Sequence, residues 1–346
     1  AAAEAGDLTA AIDWAEQAVA NNADSDLSAE ASFWAGKWQQ RQGQTESARQ
    51  HYQWTLKVHP ESYYAWRSAV YLGWDVGDFD TVRNRNPEVV LPPRRQPLPA
   101  GSDTLQELYL LGQDADAWAV WQTEFDNPQD PTVAEQFTDG VLRLGVDDNL
   151  DGIYELSSLA WRSDPADLAA FAPLKQTPTY WQSVYPFPYS QLIQTWSQQY
   201  QLNPMLVTAL IRQESRFEAQ IQSVVGARGL MQVMPATADW IMDQTGETDH
   251  ELTDPEDNIR LGTWYLDYTH REYSNNSLFA VASYNAGPGN VASWIDRFGF
   301  SDPDAFVEQI PFGETHNYIE TVFGGYWNYL RLYNPAIASQ LRQLQG

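Results

Sequence analysis

Glu214 stands where a globular helix would normally place a leucine. The stretch from Pro204 to Phe217 predicts one amphipathic helix. Asn203 is its N-cap and Pro204 fills the first helical position, where a missing N–H costs nothing. Val207, Leu210 and Ile211 recur at helical spacing, and the next inward positions are Glu214 and Phe217. An ionised carboxylate on a buried stripe is expensive, so burial is expected to push its pKa upward. A carboxyl kept protonated near neutral pH is what general acid catalysis needs. A structural glutamate paired with Arg212, Arg216 or Arg228 would leave the same trace in the sequence.

Three further clusters bear on that choice. SVVGARGLMQVMP, from Ser223 to Pro235, carries Gly226 and Gly229 at tight backbone and breaks an apolar run with Gln232. ASYNAGPGNV, from Ala282 to Val291, reads as a helix end followed by a Gly-Pro-Gly turn, with Tyr284 and Asn285 at its mouth. PFGETHNY, from Pro311 to Tyr318, sets Glu314 and His316 beside aromatics. A floor of Met, Gln, Tyr and Asn beside a buried acid suits a polar, uncharged ligand such as a sugar. Glycosidases commonly flank the scissile bond with two carboxylates. The nearest second candidate, Glu218, falls one turn along the same predicted helix, and two carboxyls at i and i+4 point the same way.

Gln213-Glu214-Ser215-Arg216-Phe217, Ser223, Gly229-Leu230-Met231-Gln232 with Pro235, and Ser283-Tyr284-Asn285-Ala286-Gly287 occur in that order. Together they resemble the signatures of the soluble lytic murein transglycosylases, glycoside hydrolase family 23. The resemblance runs from Tyr185 to Leu332 and implies a goose-type-lysozyme-like catalytic domain. By it, Glu214 is the sole acid/base, and Ser223 contacts the muramic N-acetyl group. Gln232 and Met234 line the sugar subsites, Tyr284 orients the acid or the acetamido group, and Asn285 adds to substrate binding. Glu314 is a cleft acid that binds sugar or stem peptide. The implied reaction cleaves the MurNAc–GlcNAc bond with help from the substrate's own N-acetyl oxygen and leaves a 1,6-anhydro end, with no metal or cofactor. Peptidoglycan glycan strands are then the partner, and the periplasm or cell envelope the location. A hydrolytic muramidase would use the same acid, and a glycan-holding scaffold is the non-enzymatic rival.

The elements around these motifs read as all-α, because no convincing period-2 stretch appears. Helices are predicted at Ser190–Gln199, Ala236–Thr245, Pro255–Tyr273, Leu278–Ala286, Asp302–Gln309 and Glu314–Leu332. In the first half, Gly36, Gly43, Ala48, Tyr52 and Pro60 fit a tetratricopeptide-like helix hairpin. Gly6 and Ala11 repeat part of that spacing, as do Gly112, Ala117 and Trp121, while Gly145 follows Gly112 in apparent register. Such hairpins bury themselves only by stacking, so a superhelical repeat is expected, with a surface open to cell-wall protein partners. Asn84 to Ser102, rich in proline and arginine, reads as a long irregular connection. The aromatic, proline-bearing stretch YWQSVYPFPY marks a boundary, giving repeats over 1–184 and a catalytic domain over 185–346.

Composition narrows the rest. The 346 residues carry a formal net charge of −26, which disfavours nucleic acid and anionic lipid as partners. Cysteine is absent, excluding disulfides and thiolate chemistry. No apolar run is long enough to span a membrane. The chain opens at Ala1 without Met, inside what reads as a helix, which suggests a removed or missing leader. Asp147 to Gly152 fits the opening of a calcium loop, but position 12 is Ser158 where a bidentate Glu is required, so an acidic interhelical turn is the preferred reading. The five histidines show no metal-ligand spacing, and no phosphate loop or GxSxG motif is present.

Overall fold

The structure, a computed structural model, describes residues 6–23, 25–91 and 95–345. Among these residues it is all-α, with isolated bridges at Gln222–Arg228 and Arg228–Val233 as the only β-type pairing. No helix among them is long and apolar enough to cross a membrane. The helix read at Ala1 lies outside the described residues, as does part of the proline-rich connection, 92–94. Two compact units interleave along the chain, one built from 1–89, 197–209 and 263–346, the other from 90–196 and 210–262.

The first unit opens with α1 (Leu8–Asn21), α2 (Asp26–Arg41), α3 (Thr45–Val58) and α4 (Tyr63–Tyr71), each packed on the next. The second holds α5 (Asp103–Leu110), α6 (Asp114–Glu124), α7 (Val133–Gly145), α8 (Asn149–Ser158), α9 (Pro165–Lys175) and α10 (Pro178–Val184). The repeat spacing corresponds to real hairpins. Gly43 (φ 78°) and Gly112 (φ 77°) take the left-handed conformation two residues before α3 and α6, and Ala48, Tyr52, Ala117 and Trp121 are buried. In the α7–α8 turn that place belongs to Asp147 (φ 63°), two residues before Asn149. Gly145 is the last residue of α7, so the register read from it was two residues early; a short polar side chain tolerates the left-handed conformation and hid the repeat.

The same turn disposes of the calcium loop. Gly152, at the position that must make a sharp bend, lies inside α8, where an added Cβ would meet the Gly140 carbonyl at 2.9 Å. Arg143 instead gathers the acids, bonding Asp139 and Asp148 at 2.6 and 2.5 Å and reaching Asp151 at 3.6 Å.

Later helices are α11 (Ser190–Gln199), α12 (Pro204–Ser215), α13 (Pro235–Thr245), α14 (Pro255–Glu272) and α15 (Ser277–Ala286). They continue with α16 (Pro288–Phe298), α17 (Pro303–Glu308), α18 (Gly313–Tyr333) and α19 (Pro335–Gln345). Two of these escaped the sequence reading. At α16 the Gly-Pro-Gly stretch is a turn only as far as Gly287, after which Pro288 takes the first helical position. At α19 a proline again opens the helix. In α12, Asn203 accepts the Met205 N–H at 3.0 Å, as its N-cap role requires, but the helix stops at Ser215.

The first unit is held by aromatic stacking and buried charge. Trp66 of α4 lies parallel to Phe323 of α18 at 4.9 Å, with Phe79 edge-on to both. Beside them Asp304, 3% exposed, accepts from Arg67 at 2.6 Å, from the Tyr71 hydroxyl at 2.7 Å and from Lys37. The Arg67 and Lys37 charges overcome the effect of burial and hold its carboxyl down, at about 2. Removing one partner of such a network strands buried charge, so Asp304→Ala is expected to cost about 3–5 kcal/mol.

His270 of α14 is fully buried. Its Nδ1–H donates to the Leu266 carbonyl at 2.7 Å and its Nε2 accepts from the Ser277 hydroxyl at 2.9 Å. Burial lowers its pKa from 6.5 to about 3. Between those values the unfolded chain binds a proton that the native imidazole refuses. Stability present above pH 6.5 is therefore lost as pH falls, at up to about 1.4 kcal/mol per pH unit. Urea titrations from about pH 7 to about pH 5 are expected to show that slope and to lose most of it in His270→Gln.

Candidate active site

Glu214 sits in the last turn of α12, half-buried, between the fully buried Ile211 and the buried Ser215. The apolar stripe below it is as expected, since Val207, Leu210, Ile211 and Phe217 are all buried. Helix residues through Ala209 count with the first unit and those from Leu210 with the second. Arg212, one turn before Ser215, donates to the Val184 carbonyl at 2.9 Å and lies over the Tyr185 ring at 4.3 Å.

Immediately after the acid the backbone changes hand. Arg216 (φ 48°) and Phe217 (φ 64°) are both left-handed without being glycine, a conformation that needs support from its surroundings. Ser215 supplies it: its Oγ accepts the Phe217 N–H at 3.0 Å and donates to the Leu230 carbonyl at 2.8 Å. Glu218 is consequently not one helical turn beyond Glu214. It lies in the turn after the helix, where its side chain accepts the Gln220 N–H at 2.9 Å.

The stretch from Ile221 to Met234 folds back on itself as a compact loop. Arg228 and Val233 exchange backbone hydrogen bonds at 3.1 and 3.0 Å, and Gly229 donates to Ile221 at 3.0 Å. Leu230 and Met231, at its centre, have no exposed surface. Asn258 of α14 bonds three backbone groups in and beside the loop. Its Oδ1 accepts the Met231 N–H at 2.7 Å, while its Nδ2 donates to Arg228 at 2.9 Å and Leu252 at 2.7 Å. Only glycine fits at 229, where φ is 75° and a Cβ would lie 2.2 Å from the Leu252 carbonyl.

That loop carries three of the expected site residues. Ser223 is half-buried, and its Oγ accepts the Ala227 N–H at 3.0 Å. Gln232 is left-handed (φ 48°) and donates from Nε2 to Gly229 at 2.9 Å, which leaves its Oε1 as the acceptor. Met234 is 38% exposed at the N-cap of α13. Ser215–Leu230 ties this loop to the helix end that bears Glu214.

The remaining expected residues belong to the first unit. Tyr284, near the end of α15, is half-buried and meets Tyr265 edge to face at 5.4 Å. Asn285 accepts the Thr315 hydroxyl at 2.7 Å, so the end of α15 and the start of α18 are joined. Glu314, in the first turn of α18, is exposed, a placement the helix dipole favours. Sequence reasoning gave no role to Ser215, Asn258 or Thr315. Ser215 stood inside a quoted motif; the other two act across sequence separations that carry no local signal.

His316 is a hydrogen-bonded histidine, its Nδ1 facing the Val307 carbonyl at 3.0 Å. Glu308, His316 and Glu320 each bring one ligand-type atom within 4.8 Å of the others. Burial, aided by the Glu320 carboxylate, raises the Glu308 pKa, and the Tyr64 hydroxyl donates to Glu320 at 2.9 Å. Nothing else there points to an ion.

Residues 191–307 match the family model described as "Transglycosylase SLT domain". The soluble lytic murein transglycosylase of Escherichia coli K12 is 37% identical over 162 residues, which cover 45% of this chain and 25% of that protein. The protein of the same description from Salmonella typhimurium is 40% identical over 143 residues, covering 40% and 22%. These matches span about a quarter of the relatives' length. Among solved structures, an inactive mutant of the lytic transglycosylase Slt from Pseudomonas aeruginosa aligns with TM-score 0.63 at 22% identity, over 89% of this chain and 48% of that one. The 70 kDa soluble lytic transglycosylase of E. coli aligns with TM-score 0.59 at 24% identity, over 89% and 48%. At those identities the likeness speaks for the fold.

Replacing Asn258 by Ala would orphan the buried Met231 N–H and Leu252 carbonyl, while the Arg228 carbonyl keeps its bond from the Val233 N–H. A loss of about 2–4 kcal/mol in unfolding free energy is expected, and faster hydrogen exchange at the Met231 amide checks that the loss lies in the loop.

Proposed function

We propose that this chain carries the catalytic part of a peptidoglycan lytic transglycosylase, with Glu214 as its acid and then its base. The single observation that carries the reading is the coupling of Glu214's helix end to the Gly229–Gln232 loop through Ser215 and Leu230, inside the segment that matches the transglycosylase model. That coupling fixes the acid relative to Ser223, Gln232 and Met234, and positioning to a fraction of an ångström is what acid–base chemistry demands.

Glu214 protonates the glycosidic oxygen as the C1–O4 bond of the MurNAc–GlcNAc linkage breaks. The muramic N-acetyl oxygen bonds to C1 in its place, so no second protein carboxylate is needed, in keeping with Glu218's engagement in its own turn. The Glu214 carboxylate then takes the proton of the C6 hydroxyl, O6 closes on C1, and the acetamido group is released. The acid ends protonated, as it began, and the product is a 1,6-anhydro sugar.

In this reading Ser223 and Gln232 bind the acetamido and sugar hydroxyls, Met234 offers an apolar face, and Tyr284, Asn285 and Glu314 serve substrate binding. On this reading the catalytic module is 185–346 and the repeats are 1–184, the former containing the 191–307 match. Murein in the periplasm or cell envelope is the substrate, and the repeats offer a surface to cell-wall proteins.

Glu214→Gln keeps the shape and removes the proton. Murein solubilisation by that variant is expected to fall about 10²–10⁴-fold with an unchanged circular dichroism spectrum. Ser223→Ala and Tyr284→Phe are expected to act more weakly, raising KM as well as lowering kcat. Turnover that persists in Glu214→Gln would overturn the assignment.

A further inference from the structure

A pocket in the first unit is lined by none of the site residues named above. It has a volume of about 370 Å³, within the range that holds a small ligand. Gln40 from the end of α2, Arg49, Tyr52 and Gln53 from α3, Tyr71 from α4 and Trp74 beyond it line the space.

Its chemistry is specific. Tyr52 and Tyr71 stack at 5.3 Å with their planes 27° apart, and Tyr52 donates to the Gln40 Oε1 at 3.0 Å, which leaves that amide's N–H groups unengaged. Arg49 and Gln53 lie one turn apart on α3, so their side chains share a face. Neither makes a hydrogen bond or ion pair with any described residue. In a chain with 46 acidic and 20 basic residues, most described arginines have found a carboxylate, and an exposed guanidinium at a pocket without one is available to an outside anion.

The stacked Tyr52 and Tyr71 close the floor, so the Trp74 ring beside the free amides of Gln40 and Gln53 is what meets the C–H face and hydroxyls of a pyranose, and the Arg49 guanidinium selects a carboxylate on it. We propose that this pocket is a second saccharide site, for an N-acetylated sugar that bears a carboxylate, of which N-acetylmuramic acid is the natural probe. The choice of muramic sugar rests on the transglycosylase reading; the demand for a carboxylate rests on Arg49 alone. Such a site would select a muramic residue whose lactyl carboxyl is free of a stem peptide, since an amidated carboxyl carries no charge for Arg49 to meet.

The test is a titration of the ¹⁵N-labelled full chain, following the Trp74 indole resonance assigned by its loss in Trp74→Phe. N-Acetylmuramic acid is expected to shift that resonance saturably, with N-acetylglucosamine, which lacks the carboxylate, binding about tenfold or more weakly. Arg49→Ala is expected to erase that difference and Arg49→Lys to restore part of it, with cleavage of short soluble glycan strands unchanged in both. No Trp74 shift, equal shifts with the two sugars, or an undiminished preference in Arg49→Ala would each overturn the proposal. These outcomes are independent of whether Glu214→Gln still cleaves murein, so the two readings fail separately.

Discussion

Irregular backbone that passes through a protein interior must have its N–H and C=O groups bonded, and the Arg228–Val233 stretch is such a segment. Leu230 and Met231 have no exposed surface, yet neither belongs to a helix. Asn258 and Ser215 supply the missing partners from two different helices. Once those bonds are made, the loop has one position, and so do the residues at its ends. The left-handed turn after α12 follows from the same arrangement, because the Ser215 hydroxyl that grips Leu230 also steadies Phe217. A side chain that serves two backbone groups at once couples the acid's helix to its neighbouring loop.

The first unit uses a different device. Asp304 gathers Arg67, Lys37 and Tyr71 from α4 and α2 onto the short helix α17. A buried ionic network of this kind adds little net stability over a well-packed apolar substitute, but it tolerates few alternative packings. Stacked Trp66 and Phe323 supply the apolar counterpart. The network fixes α17 and the stack fixes α18, whose first turn presents Glu314 and Thr315, against the early helices of that unit.

Much of this was legible in the sequence because its signals are local. Period-3.6 stripes, prolines at helix starts and the Gly43 and Gly112 turns all act within a few residues, and the helices and hairpins followed from them. The N-cap at Asn203 was readable for the same reason. The misreadings came where two local signals compete. Gly145 looked like the turn residue because glycine usually is, while Asp147 took that conformation. The predicted helix ran to Phe217 because the apolar stripe did, while the helix ends at Ser215 and the backbone turns left-handed at Arg216. Gly287-Pro288-Gly289 advertised a turn and concealed the start of α16. Asn258 and Thr315 had no local signal at all, since their partners lie up to 30 residues away.

The chemistry assigned to Glu214 makes one demand that a water-using enzyme does not share. If its carboxylate returns to deprotonate the C6 hydroxyl, O6 closes the ring and solvent never enters the product. Mass spectrometry of muropeptides released from murein in ¹⁸O-enriched water measures this directly. The account predicts 1,6-anhydro-muramic ends that carry no ¹⁸O; reducing muramic ends that carry one ¹⁸O at C1 would contradict it.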